Sequence, residues 1–213
     1  MSQFYPVYLN LNQKNCLVVG GGKVAERKIE TLMEYEANVK VVSPLVENRI
    51  EEWASQGKIE LNHAVFCEED LEGIFIVFIA TDHYSINQKI AAMCRERRIL
   101  VNAVDDPPNC DFYVPAVLRR KSLSIAISTE GKSPLFASRL KQKLSQHVPE
   151  AYGDFVDMMG SVRELIKNST LTMEERKHLL SQLIDSDILE LLQQGDKQKA
   201  EERIRVCISS WQV

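Results

Sequence analysis

Residues 16–25 read Cys16-Leu17-Val18-Val19-Gly20-Gly21-Gly22-Lys23-Val24-Ala25, so four apolar residues run straight into three glycines. The apolar run has the length of a short buried strand. Residues 24–35 then place Ala25, Ile29, Leu32 and Met33 on one face of a helix. Between a strand and a helix, Gly20-x-Gly22-x-x-Ala25 is the pattern that receives a dinucleotide. The first glycine makes the tight turn, Gly22 lets a diphosphate approach the backbone, and Ala25 lets helix and strand pack closely. The helix N–H groups then face the phosphates. Gly20, Gly21, Gly22, Lys23 and Val24 are therefore candidate cofactor-binding residues. A glycine turn without a ligand is the rival reading.

Moving outward, residues 39–42 form a β-branched strand closed by Ser43-Pro44, and residues 45–56 read as a helix. Residues 58–65 give a third strand, 74–80 a strand buried on both faces, 85–97 a helix and 99–104 a fifth strand. Strands separated by helix-length segments predict an α/β fold, a Rossmann-type doubly wound parallel sheet. The pattern changes after Asp105. Asp106-Pro107-Pro108-Asn109 is a loop, and residues 112–118 and 122–128 read as strands around a basic turn, Arg119-Arg120-Lys121. Residues 128–134 form a second loop that opens a helix running through Leu144, with Ser133 at the N-cap and Pro134 in the first helical position. From Pro149 onward only helices are expected. Thr172-Met173-Glu174-Glu175 is a capping box opening one of them to Ile184, followed by helices over 185–192 and 196–209. The expected division is 1–113, a mixed strand and helix segment over 114–147, and a small helical domain over 148–213.

Composition narrows the class. The longest apolar run, residues 74–80, is far shorter than the roughly 20 residues a bilayer-spanning helix needs. The opening MSQFYPVYLNLNQKN has no basic region followed by an apolar stretch, so no secretory signal is read and a cytoplasmic protein is expected. The five cysteines are scattered and never spaced C-x-x-C, and the four histidines form no ligand pattern, so neither disulfides nor a metal site is expected. Reduced thiols fit the cytoplasm.

The net charge of −4 hides an asymmetry: seven basic residues and one acid between 114 and 147 give that segment +6, leaving −10 for the rest. A local positive field on an acidic chain suggests an anionic ligand met locally; the bland alternative is a solvated helix face. Nucleic acid is not expected, because that segment lacks interleaved aromatics and the whole chain repels phosphate.

An acid usually follows the second strand of such a sheet and binds the ribose hydroxyls. Here the chain reads Val41-Val42-Ser43-Pro44-Leu45, so Ser43 or nearby backbone is the candidate replacement. No arginine follows at once to hold a 2′-phosphate, and Lys40 sits inside the strand, so the residues lean to NAD and leave NADP open. Two carboxylates fall at strand ends, Asp82 and Asp105. Asp82 has a competing use as the cap of the helix beginning near His83. Asp105 precedes loop, which makes it the candidate general base or orienting acceptor, with a turn-forming role as its rival. In the 128–134 loop, Ser128, Thr129 and Ser133 offer hydroxyls and Lys132 a charge beside a helix N-terminus, a combination suited to carboxylate or phosphate.

Taken together, Cys16 to Lys28, Ala80-Thr81-Asp82, Val101-Asn102-Ala103-Val104-Asp105 and Ile127-Ser128-Thr129-Glu130-Gly131-Lys132-Ser133-Pro134 resemble the siroheme synthase N-terminal family, the precorrin-2 dehydrogenases. Order and spacing agree through Leu144. The resemblance implies NAD-dependent oxidation of precorrin-2 to sirohydrochlorin in a homodimer whose middle segment makes much of the subunit contact. It matches Asp105 to the family's catalytic aspartate and places Thr129 where a relative has a functional serine, with Ser128 just before. It adds Thr81, Asp82 and Asn102 to Ser43, Pro44 and Leu45 as cofactor contacts. Precorrin-2 carries many carboxylates, which gives Arg119, Arg120, Lys132 and their neighbours a reason to cluster as substrate contacts. Two other functions stay open: a bifunctional dehydrogenase and ferrochelatase or cobaltochelatase, and a nucleotide-sensing regulatory module.

Overall fold

The strand Asn15–Val19 (β1) alternates strictly: Cys16 and Val18 face one side of a sheet, Leu17 and Val19 the other, and all four are buried. In this computed structural model, which describes residues 4–211, β1 is the centre of a five-stranded parallel sheet. The first three residues of the N-terminal stretch read for a signal lie outside the described residues. The order of the sheet is β3-β2-β1-β4-β5, with β2 Asn38–Val42, β3 Glu60–Asn62, β4 Ile76–Ile79 and β5 Leu100–Ala103. Helices α1 (Lys23–Glu34) and α2 (Asn48–Ser55) cover the Cys16/Val18 face, through Ala25, Ile29, Leu32, Ile50 and Trp53. Helix α3 (Tyr84–Glu96) covers the other, through Ile90, Ala91 and Cys94. Strands buried on both faces must be apolar throughout, which is why β1 and β4 read as continuous hydrophobic runs. The doubly wound reading therefore holds. The order in which strands are added reverses between β1 and β4, so the crevice beyond their carboxyl ends is where such sheets bind ligands.

The element ends differ from expectation for local reasons. Helix α2 starts at Asn48 rather than at residue 45, because the chain before it wraps the glycine turn and the Glu47 N–H donates to the Gly21 carbonyl at 2.8 Å. Strand β3 keeps only three residues, since as an edge strand it pairs with β2 alone.

The chain forms two compact units, Met1–Tyr113 and Val114–Val213. The second opens with an antiparallel hairpin of β6 (Ala116–Arg120) and β7 (Leu123–Ile127). Arg119 and Arg120 belong to β6, not to the turn as expected; the connection is the two-residue Lys121-Ser122, with Lys121 at φ 49°. A two-residue hairpin needs positive φ to match strand twist, and the ladder runs on to the Arg120–Leu123 pair. Helices α4 (Pro134–His147) and α5 (Ala151–Lys167) pack on this hairpin. On α5, a Cβ at Gly153 would sit 2.4 Å from the Arg120 carbonyl oxygen, so only glycine permits this approach. Helices α6 (Met173–Ile184), α7 (Ile188–Gln193) and α8 (Lys197–Ser209) close a separate core of Val162, Ile166, Leu179, Leu183, Ile188 and Ala200. The Thr172–Glu175 capping box is formed as read.

Candidate active site

The glycine turn is tight on two sides and open on the third. Gly20 has φ +116°, donates its N–H to the Val42 carbonyl at 3.0 Å, and would place a Cβ 2.2 Å from the Ala80 carbonyl oxygen. A Cβ on Gly21 would lie 2.1 Å from the Leu45 carbonyl oxygen. On Gly22 it would meet nothing within 4 Å. No side chain caps the first turn of α1, so no side-chain cap occupies its leading N–H groups. These features fit a diphosphate: open space at Gly22, unblocked N–H groups and a cleft of about 310 Å³ lined by Gly21, Gly22, Leu45, Val46, Glu47 and Asn48. Lys23 is exposed and Val24 half-buried at its rim.

At the end of β2, Ser43 is buried and its hydroxyl donates to the Leu45 carbonyl at 2.7 Å, so its proton serves the turn. Pro44 and Leu45 are exposed. Lys40 is engaged elsewhere: its ammonium lies 2.9 Å from the buried Asp70 carboxylate. Burial alone would push the Asp70 carboxyl up, but the Cys67 N–H, the Lys40 ammonium and the Cys67 thiol together hold it below the usual range.

Beyond β4, Thr81 donates to Asn87 Oδ1 at 2.5 Å, and Asn87 Nδ2 returns a bond to the Thr81 carbonyl at 3.0 Å. The Thr81 hydroxyl also accepts the His83 N–H at 3.3 Å. Asp82 is exposed and does not cap α3; the N-cap position is His83, without a capping side chain. The helix cap expected of Asp82 is thus corrected, because Thr81 already meets the orphan amide.

Within β5, Asn102 is buried and donates to the Phe112 carbonyl at 2.9 Å, tying the strand to the segment that leaves the sheet. Asp105 is exposed with φ 57°. It sits in the turn closed by the Asp106 N–H on the Ala103 carbonyl at 3.3 Å, while the side-chain bond of this loop belongs to its buried neighbour Asp106, which accepts from Asn109 Nδ2 at 2.8 Å. Near Asp105 stands a residue the sequence reading did not single out. The Lys28 ammonium lies 5.6 Å from the Phe78 ring centre. Burial and the Arg27 charge lower its pKa, while Cys110 and Asp105 pull the other way. Its five-residue spacing from Lys23 gave no sign of this, since helical position does not reveal which strand end a long side chain reaches.

In the second unit the basic residues separate by role. The Arg120 guanidinium donates to the Val148 carbonyl at 2.9 Å and the Ser145 carbonyl at 3.4 Å, and lies 3.2 Å from Glu150. Its donors hold the end of α4, so this residue, expected to contact substrate, also has a structural task. Lys121 pairs with Asp154, so acids on α5 offset part of the positive field that residues 114–147 carry by themselves. Arg119 is exposed and directs Nε at the Lys121 carbonyl, 3.4 Å away. In the second loop, Glu130 and Gly131 have φ 50° and 77°, and the Lys132 N–H donates to the Thr129 carbonyl at 2.9 Å. Two positive φ values inside that bond make a type I′ turn. The Ser128 hydroxyl accepts the Glu130 N–H and the Thr129 hydroxyl the Ser133 N–H, both at 3.1 Å, which leaves each hydroxyl proton to donate outward. Ser133 occupies the N-cap position of α4 as read, but its side chain makes no capping bond. Lys132 is exposed, 3.8 Å from Glu130.

Among the described residues, no cluster of three or more His, Cys, Asp or Glu is arranged to hold a metal ion, and no helix is long and apolar enough to cross a membrane.

Comparison with known proteins fits this geometry. Residues 7–116 match an NAD(P)-binding family, residues 120–147 the sirohaem biosynthesis protein central family, and residues 151–206 the sirohaem synthase dimerisation region. The dimerisation description thus falls on α5 to α8, beyond the 114–147 segment to which subunit contact was first ascribed and past the point where the sequence resemblance stopped. The siroheme synthase of Nitrosococcus oceani is 34% identical over 93% of this chain and 42% of its own length. Siroheme synthase 3 of Aeromonas hydrophila is 35% identical over 92% of this chain and 42% of its own length. The chain therefore spans less than half the length of these curated relatives. A solved structure titled SirC, precorrin-2 dehydrogenase, superposes with a TM-score of 0.77 at 30% identity, covering 95% of this chain and 99% of that one. With three consecutive family matches and an end-to-end structural counterpart, the chain belongs to the siroheme synthase N-terminal family of precorrin-2 dehydrogenases.

Proposed function

We propose that this protein oxidises precorrin-2 to sirohydrochlorin with NAD, as a homodimer. The observation that carries the reading is the glycine turn, closed by packing at Gly20 and Gly21 and open at Gly22, in a chain that matches a precorrin-2 dehydrogenase end to end. Gly20, Gly21, Gly22, Lys23 and Val24 would hold the diphosphate, with Ser43, Pro44 and Leu45 toward the adenosine side and Thr81, Asp82 and Asn102 at the ends of β4 and β5. Bound there, NAD supplies the acceptor for a hydride.

The rest falls to the protein's own groups. Oxidation of the macrocycle removes two electrons and two protons; one proton travels with the electrons as hydride and the other must be taken by a base. Asp105 would be that base; the reading is supported by its being an exposed carboxylate at the carboxyl end of β5, with no hydrogen bond or ion pair of its own among the described residues. Holding the reacting carbon against acceptor and base supplies much of the rate. In the second unit, the outward hydroxyl protons of Ser128 and Thr129, the Lys132 ammonium, the Ser133 side chain and Arg119 suit the acid arms of a tetrapyrrole. The dimer is ascribed to α5 to α8, on the family description of that region. Five free thiols suit the cytoplasm.

Anaerobic incubation of the protein with precorrin-2 and NAD tests this. The sirohydrochlorin absorption spectrum should appear together with NADH. Tight NAD binding without oxidation of the tetrapyrrole would leave a nucleotide sensor as the better reading.

A further inference from the structure

The ribose of a dinucleotide needs an acceptor for its hydroxyls, and the usual carboxylate is missing from the end of β2. Ser43 is a poorer replacement, because its oxygen is neutral and buried, with its hydroxyl bonded to the Leu45 carbonyl. The cleft beside the glycine turn nevertheless has an acid. Glu47 lines it together with Gly21 and Gly22, and is fixed there because its N–H donates to the Gly21 carbonyl at 2.8 Å. Although Glu47 is the N-cap residue of α2, its side chain does not cap that helix. Nor does its carboxylate form a hydrogen bond or ion pair among the described residues, whereas Glu26 and Glu30 nearby are both paired with Arg49. The cleft thus has one lining carboxylate, held by its backbone against the phosphate-binding turn, with its oxygens uncommitted.

We propose that Glu47 is the ribose-reading residue of this site: it accepts from the adenosine ribose hydroxyls and rejects a 2′-phosphate, so that the protein selects NAD over NADP. The inference rests on the reading of the glycine turn as a dinucleotide site. Its physical basis is asymmetric. A carboxylate gains a charge-assisted bond from a 2′-hydroxyl but meets a phosphate as a like charge without an intervening base. The selecting acid comes a few residues later than usual because the chain after β2 wraps the turn before α2 begins.

The test is calorimetric titration of the whole protein with NAD and with NADP, in the wild type and in Glu47→Gln and Glu47→Arg. Wild type should bind NAD roughly tenfold to a hundredfold more tightly than NADP. Glu47→Gln should narrow that ratio by roughly fivefold or more, and Glu47→Arg should bring NADP level with NAD or above it. Circular dichroism checks that both variants keep the wild-type fold. If wild type binds NAD but the ratio is the same in Glu47→Gln, Glu47 is not the selector and only this inference falls. A wild type that prefers NADP also overturns it. If wild type binds neither nucleotide, the dinucleotide reading falls first and takes the inference with it.

Discussion

Thr81 and Asn87 clasp each other across the turn that follows β4, the threonine hydroxyl donating to the amide oxygen and the amide nitrogen donating back to the threonine carbonyl. Asn87 lies on α3 and is buried. The clasp therefore fixes the path of the chain between the carboxyl end of β4 and the helix behind it. The Ala80 carbonyl on that path is the oxygen against which Gly20 must fit. One pair thus sets the wall of the glycine turn as well as the start of α3.

Asn87→Ala leaves the Thr81 carbonyl and hydroxyl without their partner in a partly buried place. The expected cost is about 1–3 kcal/mol, read by urea unfolding of the first unit. Because the Ala80–Thr81 backbone loosens with it, NAD affinity should fall as well. Unchanged stability would mean that water replaces the amide without loss.

The three glycines should separate fold from binding. Gly20→Ala places a methyl into the Ala80 carbonyl at positive φ and should cost about 3 kcal/mol or more. Gly22→Ala has ordinary φ and open space, so the protein should fold as before while NAD binding is lost, because the methyl fills the place of the diphosphate. Thermal unfolding and NAD titration of the two variants read the contrast directly; a Gly22→Ala protein that binds NAD normally would remove the phosphates from this turn.

Much of the first unit was legible because its signals are local. Two-sided burial writes β1 and β4 as apolar runs, the helical period marks Ala25, Ile29 and Leu32, and the glycine turn announces itself between them. What the sequence did not disclose depends on partners far along the chain. Asn87, Lys28 and Glu47 look like ordinary surface polar residues until the fold sets them beside Thr81, Asp105 and the glycine turn. The structural partners of Arg120 were hidden because they are two backbone carbonyls, at residues 145 and 148, and Glu150, which lies beyond the segment whose charge was counted. Positive φ was legible at Gly131 but not at Lys121 or Asp105, since side chains there conceal the need.

The Lys40–Asp70 pair gives the first unit an acid-side limit. Asp70 is held below its ordinary value in the folded chain, so it stabilises the fold when pH is above the unfolded carboxyl's range. That contribution disappears as pH falls from the ordinary value of 3.8 through the lower folded one. Asp70→Asn should cost about 1–3 kcal/mol near neutrality and flatten the acid limb of a stability–pH curve measured by urea unfolding. An equally steep acid limb in the variant would assign it to other carboxylates.

Arg120→Lys tests the architectural reading of that residue. A lysine keeps the charge near Glu150 but cannot reach the Ser145 and Val148 carbonyls with separate donors. The second unit should lose about 1–3 kcal/mol, measured by urea unfolding. Were stability unchanged and only the Michaelis constant for the tetrapyrrole raised, Arg120 would return to the substrate contacts.

Asp105 is the residue on which the chemistry turns, and its backbone decides how to test it. At φ 57° it occupies the left-handed region, which asparagine tolerates and alanine resists. Asp105→Asn therefore removes the base while keeping shape and turn, whereas Asp105→Ala adds a backbone penalty of roughly 1 kcal/mol that would confuse the result. In Asp105→Asn the turnover number for precorrin-2 should fall by roughly a hundredfold or more, with NAD affinity and unfolding midpoint as in wild type. A fall in turnover matched by an equal fall in NAD affinity would make Asp105 a binding residue. Wild-type turnover would mean that the departing proton goes to another base or straight to water, and the carboxyl end of β5 would then have no part in the reaction.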